Sequence, residues 1–150
     1  MPAQPGNIRA VLDTNVVLDC FAFDGPLARP LADAIRAGTI EVVTSAACLE
    51  ELRRVLDYPK LKLDKQQRLA AFERFHGLAE CIAPPKVDDV PRCRDRDDQI
   101  FLDLAAAART DFLFSRDARV LATASRMLKY FSVRVLEPRA WALANPSAGA

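Results

Sequence analysis

Short apolar runs alternate with stretches of helical periodicity along most of the chain. The apolar and β-branched runs predict five short strands, at residues 8–12, 40–43, 81–83, 112–114 and 133–136. The helical periodicity predicts helices at residues 13–21, 27–35, 45–56, 64–75, 95–108 and 117–127, with a short final helix around Trp141. Strands that alternate with helices favour an α/β fold with a mostly parallel sheet covered on both faces.

The length and composition are typical of one soluble domain. The chain has 150 residues, of which 51% are hydrophobic and 27% charged, enough apolar material for one buried core. We expect a single domain over residues 1–144 and a disordered tail over 145–150. No apolar run is long enough to span a bilayer, and the polar segment 1–7 lacks the apolar core of a signal peptide. We therefore expect a cytoplasmic protein without a membrane partner.

Charge and cysteine content narrow the possible functions. A formal net charge of +1 gives no general electrostatic signature of nucleic-acid binding, so any such argument must come from a local site. The four cysteines and the single His76 are widely spaced, which disfavours a zinc site. The apolar surroundings of Cys20, Cys48 and Cys81 favour buried free thiols over disulfides.

Two aspartates directly follow predicted strands. Asp13 comes after the first strand and Asp117 after the fourth. In open parallel sheets, ligands bind beyond the carboxyl ends of the strands, where the strand order reverses. Helix capping explains either aspartate alone, but two at one sheet edge favour a metal site more strongly.

The helix predicted over 45–56 carries a third candidate. Glu51 borders its buried stripe, whereas Glu50 turns away and is expected to form an exposed ion pair with Arg53 or Arg54. Glu51 is therefore the residue of this pair that can approach the sheet edge.

The segment 94–98 contains three carboxylates at the predicted start of a helix. Acidic residues stabilise a helix N-terminus, and Asp95 is the expected cap. Asp98 lies on the edge of the core-facing side, so it can reach the sheet edge. If Asp98 converges there with Asp13, Glu51 and Asp117, a cation would relieve their repulsion. Oxygen ligands without His or Cys favour one or two Mg²⁺ or Mn²⁺ ions.

Four segments, in this order and spacing, resemble the PIN-domain family. They are residues 11–16, 45–56, 95–102 and 113–117, and the resemblance extends over about residues 8–143. It implies a three-layer α/β/α sandwich with a central parallel sheet. It also implies metal ligation by Asp13, Glu51, Asp98 and Asp117, with Asn15, Asp95 and Ser115 as supporting polar residues.

The resemblance is greatest to a subgroup described as toxin components of toxin–antitoxin pairs. It implies a divalent-metal-dependent endoribonuclease that cleaves single-stranded RNA, with an antitoxin protein as a possible partner and a homodimer as the expected assembly. Arg96 and Arg116 depart from the subgroup pattern; either could contact substrate phosphate, and Arg116 could instead pair with Asp117.

Other functions fit parts of the same pattern. A DNA or structure-specific nuclease would use the same chemistry, and a catalytically silent RNA-binding module could keep the fold. A phosphatase of the haloacid-dehalogenase type would need a second aspartate where Asn15 stands. The stripe of Phe72 and Phe75 is expected to be core or dimer surface rather than a platform for bases.

Overall fold

A five-stranded sheet forms the centre of the computed structural model, which describes residues 7–145. The strands are β1 (Ile8–Leu12), β2 (Ile40–Ser45), β3 (Ala79–Ile82), β4 (Phe112–Phe114) and β5 (Arg134–Leu136). The helices are α1 (Thr14–Phe21), α2 (Arg29–Arg36), α3 (Ala46–Leu56), α4 (Lys65–Leu78), α5 (Gln99–Ala108), α6 (Ala118–Leu121), α7 (Ala124–Phe131) and α8 (Pro138–Ala144). Short 3₁₀ turns lie at Pro59–Leu61 and Arg96–Asp98.

The strand order is β3-β2-β1-β4-β5, and every neighbouring pair is parallel. β1 is the central strand, and its last three residues, Ala10 to Leu12, are all buried. A strand covered on both faces needs such a continuous apolar run, which is why the pattern at 8–12 identified it. The prediction of a central parallel sheet is confirmed.

Alternate residues of the strands face two separate helical layers. Ala10, Leu12 and Phe114 contribute to a core formed with α1, α2, α3, α4 and α8. Val11 and Leu113 contribute to a second core formed with α5, α6 and α7. The period of two along each strand therefore builds the three-layer α/β/α sandwich that the resemblance implied.

Several helix and strand boundaries differ from the sequence prediction. The helix expected from Asp95 begins with the 3₁₀ turn Arg96–Asp98, and α5 starts only at Gln99. The helix expected over 117–127 is divided into α6 and α7 near Thr123, whose hydroxyl donates to the Val120 carbonyl at 2.7 Å. The tail expected at 145–150 lies outside the described residues except for Asn145, whose side-chain amide donates to the Trp141 carbonyl at 2.9 Å.

The cysteines are free thiols, as expected, but their burial was predicted only in part. Cys20, Cys48 and Cys93 are buried, and burial raises the pKa of Cys20 to about 12 and that of Cys48 to about 11. Cys81 is exposed, because β3 is an edge strand with a neighbouring strand on one side only. The expectation of a buried Cys81 is therefore wrong.

The phenylalanine stripe of α4 belongs mainly to the core. Phe75 is buried and packs edge-on against Phe21, with ring centroids 5.6 Å apart. Phe72 is partly buried beneath the Arg53 guanidinium, 4.5 Å from its ring centroid.

None of the helices described over residues 7–145 combines the length and the apolar character that a membrane span requires.

Leu113→Ala should destabilise the protein strongly, because Leu113 lies in β4, next to the central strand β1, and is fully buried. Removing its side chain leaves a cavity, and we expect a loss of about 2–5 kcal/mol in the free energy of unfolding. Urea unfolding followed by circular dichroism measures this change.

Leu143→Ala is the matched control, since Leu143 is largely exposed on α8. We expect a change within about 0.5 kcal/mol. Similar losses for the two variants would show that Leu113 does not belong to the packed core.

Candidate metal centre

The carboxyl ends of β1 and β4 lie side by side at the point where the strand order reverses. Leu12 is paired with Phe114, and the Asp13 amide donates to the Phe114 carbonyl at 2.9 Å. The residues that follow the two strands, Asp13 and Ser115, therefore enter the same edge of the sheet. Such a switch point is where open parallel sheets bind their ligands.

Asp13 is an almost completely buried acidic residue, with 1% exposure. One of its oxygens, Oδ2, accepts hydrogen bonds from Ser115 Oγ at 2.6 Å and from Asn15 Nδ2 at 3.3 Å. Burial raises the pKa of Asp13, hydrogen bonds from Ser115 and Thr14 oppose this, and the charges of Asp117 and Glu51 add to it.

Asn15 and Ser115 also connect the two loops. The Asn15 side-chain oxygen accepts from the Arg116 amide at 3.2 Å, and Ser115 Oγ accepts from the Asp117 amide at 3.0 Å. Asn15 and Ser115 thus contact Asp13 on one side and the Arg116–Asp117 backbone on the other, as supporting residues would.

A carboxylate cluster lies beside Asp13. One oxygen from each of Asp95, Asp98 and Asp117 lies within 4.8 Å of the other two. Asp95, expected from the sequence as a cap and a supporting residue rather than a ligand, joins this cluster. Among the described residues, this is the group of acidic side chains close enough to hold one metal ion; the carboxylates of Asp13 and Glu51 are not part of it.

Helix capping accounts for only some of these aspartates. Asp95 accepts from the Asp97 amide at 3.0 Å, and Asp117 accepts from the Arg119 amide at 2.8 Å, so both cap a turn. Asp13 and Asp98 also stand at N-cap positions, but neither side chain makes a capping hydrogen bond. Their placement therefore needs another explanation than helix stability.

The environments of Asp98 and Asp117 push their pKa values apart. Burial raises the pKa of Asp98 to about 7, with further contributions from the charges of Asp13, Asp95 and Asp117. Hydrogen bonds from the Arg119 side chain lower the pKa of Asp117. Without a metal ion, neighbouring carboxyls of this cluster therefore differ in their affinity for a proton.

Glu51 lies on the side of α3 that the helical pattern predicted. Its side chain is 12% exposed, whereas Glu50 is exposed. The expected ion pair of Glu50 with Arg53 or Arg54 is wrong: Arg54 pairs with Glu51, three residues earlier on the helix. Arg53 instead stacks on Phe72.

The arginines that flank the acidic segments have different partners. The Arg119 guanidinium contacts both oxygens of Asp117, at 3.1 and 2.9 Å, and Asp95 at 3.0 Å. Arg116 does not pair with Asp117; its Nε lies 2.5 Å from an oxygen of Asp19 on α1. Asp19 was not singled out in the sequence, although it follows Asn15 by one helical turn. Arg96 is exposed in the 3₁₀ turn.

The donor set fits a hard divalent cation. All five acidic residues offer oxygen, the ligand that Mg²⁺ prefers at about 2.1 Å, so two opposite ligand atoms would be about 4.2 Å apart. The oxygens of the carboxylate cluster lie within 4.8 Å of one another, a separation somewhat wider than this span. Asp13 lies next to them, and within residues 7–145 both side-chain hydrogen bonds that it accepts go to Oδ2 rather than Oδ1.

Comparison with known proteins agrees with this geometry. No curated protein shows a significant match to the chain. The family model of the PIN domain matches residues 9–119, which include β1 to β4 and every acidic residue of the candidate centre. PIN domains are generally nucleases that bind divalent metals. With a match over most of its length, a parallel three-layer sandwich and acidic residues gathered at the switch point, the chain belongs to the PIN-domain family.

Proposed function

We propose that this protein is an endoribonuclease that hydrolyses single-stranded RNA with Mg²⁺ or Mn²⁺. The observation that carries the proposal is the carboxylate cluster beside the buried Asp13 in a chain that belongs to the PIN-domain family. A group of acidic residues that outnumbers its arginine partners would repel phosphate. With a divalent metal, the same group attracts it.

Asp13, Glu51, Asp98 and Asp117 are the proposed metal ligands, with Asp95 next to them. Ser115 and Asn15 both donate to Oδ2 of Asp13 and so hold its carboxylate in one orientation, with Oδ1 left for a metal. A divalent metal held by these residues would supply positive charge for the phosphate and would make water acidic enough to act as the nucleophile.

The substrate and biological role rest on the resemblance of four sequence segments to toxin components of toxin–antitoxin pairs. On that basis we infer an RNA substrate, an antitoxin protein as partner, a homodimer and a cytoplasmic location. A DNA nuclease would use the same acidic residues, so the substrate must be decided by assay.

The purified protein should cleave a single-stranded oligoribonucleotide in Mn²⁺, and Asp13→Asn should lower the rate by at least about 100-fold. The amide has nearly the shape of the carboxylate but no charge to hold a cation. Cleavage of labelled RNA on denaturing gels measures the rate, and circular dichroism confirms that the variant is folded.

Chelation by EDTA and a DNA oligonucleotide of the same sequence are the controls. RNA cleavage that survives full chelation would contradict a metal mechanism. Cleavage of the DNA alone would leave the metal centre in place and replace the proposed substrate.

The metal-free protein should lose stability as the pH rises, through Asp98. Its folded-state pKa of about 7 lies above the ordinary value of about 4, so the folded state binds the proton more tightly than the unfolded chain. This stability is fully present below about pH 4 and is lost as the pH rises through about 7. Asp98→Asn removes the titrating group, so its stability should fall less between pH 5 and pH 8.

Melting temperatures of both proteins in EDTA, at pH 5 and pH 8, measure the difference. At pH 8, Mn²⁺ should then stabilise the wild-type protein more than Asp98→Asn, because binding to the native state alone raises stability. Equal pH dependence together with equal Mn²⁺ shifts would show that Asp98 is only a helix-end charge.

Glu51→Gln should abolish metal-dependent cleavage, while Glu50→Gln should cleave RNA at nearly the normal rate. The two side chains are about 100° apart around α3. Glu51 lies close enough to affect Asp13 electrostatically, whereas the Glu50 side chain is exposed. Both variants are assayed on one RNA substrate, with circular dichroism as the check on folding. Normal cleavage by Glu51→Gln would remove Glu51 from the ligand set.

A further inference from the structure

Two arginines hold acidic residues of the candidate centre through ion pairs within the same segment of chain. Arg119 contacts Asp117, two residues earlier, and Arg54 contacts Glu51, three residues earlier. The same arrangement therefore occurs on two unconnected elements, α6 and α3. Each arginine lies at the outer side of its partner: Arg119 and Arg54 are 50% and 59% exposed, and the carboxylates much less.

Arg119 uses oxygens that a metal ion would need. Its Nε and Nη2 contact both oxygens of Asp117, and Nη2 also lies 3.0 Å from Oδ2 of Asp95. Two of the three members of the carboxylate cluster are thus held by one guanidinium. The fork of an arginine matches a carboxylate in this way because its N–H groups are planar and fixed in direction.

We propose that Arg119 and Arg54 are internal counter-ions of the metal-free site, that they leave Asp117 and Glu51 when a divalent metal binds, and that they then hold the substrate's phosphates. The inference rests on the proposed function, since it concerns the same metal centre and a nucleic-acid substrate.

Electrostatic interactions favour the arginine–carboxylate contacts when no metal is bound and favour their loss when a metal binds. Without a metal, the carboxylates repel one another, and the two guanidinium groups offset part of that repulsion. With a divalent cation on the same oxygens, each guanidinium would face a like charge a few ångströms away. Ion pairs of exposed arginines are weak, so their separation costs little, and both side chains are long enough to turn outward.

Released arginines at this position are suited to a phosphodiester chain. They come from two different elements, α3 and the start of α6, and arginine binds phosphate oxygens through paired hydrogen bonds. The formal net charge of only +1 gives no general electrostatic attraction for RNA, so local cations would matter more. Local cations that become free only in the metal-loaded site would make RNA binding depend on metal binding.

Arg116 provides a matched control. It lies one residue before Asp117, it is exposed like Arg119, and its loss removes the same unit of charge. Its guanidinium contacts Asp19 and none of the cluster carboxylates. A difference between Arg119→Gln and Arg116→Gln therefore reports the contact with the ligands rather than the overall charge.

Titration calorimetry of metal-free protein with Mn²⁺ tests the exchange without any need for cleavage. We expect Arg119→Gln to bind Mn²⁺ about 3- to 10-fold more tightly than the wild-type protein, because no internal cation competes. Arg54→Gln should change in the same direction, and Arg116→Gln should stay within about twofold. At saturating Mn²⁺, Arg119→Gln should raise the KM for RNA more than it lowers kcat, the result for a group that binds substrate in ground and transition states alike.

The outcomes separate this inference from the proposed function. Failure of the wild-type protein to bind Mn²⁺ would overturn the metal centre itself. Tight binding by the wild-type protein with equal or weaker binding by Arg119→Gln would leave the metal centre intact and overturn the exchange, since Arg119 would then position the ligands rather than compete for them. An unchanged KM would overturn the phosphate role.

Discussion

The burial of Asp13 at the end of the central strand is the constraint on which the rest of the site depends. A carboxylate with 1% exposure loses most of its hydration, and Ser115 and Asn15 replace that hydration on one oxygen. The same two residues bind the backbone of Arg116 and Asp117. The residues that satisfy the hydrogen-bonding needs of Asp13 therefore also hold the loop after β4, and with it the position of Asp117. Asp98 and Asp95, held by the turn before α5, complete the group from a third direction.

Much of this could be predicted from the sequence, because the strongest signals are periodic. Apolar runs gave the strands, and the alternation of strands with helices gave a parallel sheet, which brings Asp13 and Asp117 to one edge. The helical phase of α3 correctly separated Glu51 from Glu50. These inferences depend only on backbone geometry and on which side of an element is buried.

What the sequence did not give depends on side-chain rotamers and irregular turns. Arg54 could have reached Glu50 or Glu51, because helical spacing allows both contacts, and only the packed structure selects between them. Arg116 contacts Asp19, 97 residues earlier in the chain, and no local spacing indicates that pair. The place of Asp95 in the carboxylate cluster depends on the 3₁₀ turn of residues 96–98, and such a turn has no clear periodic signal in the sequence. Cys81 was expected to be buried because its neighbours are apolar, but β3 is an edge strand.

The acidic residues of the centre come from segments far apart in the chain, and the hydrogen bond between Ser115 and Asp13 joins residues separated by 102 positions. No local piece of the chain contains a site. During synthesis, a nascent chain lacks the centre until β4 and the residues after it have emerged and paired with β1, which is made earlier. A misfolded or truncated copy is likewise unable to assemble the acidic group. The acidic centre of this nuclease-like fold is thereby restricted to chains that have completed their long-range folding, and it is absent until β4 has paired with β1.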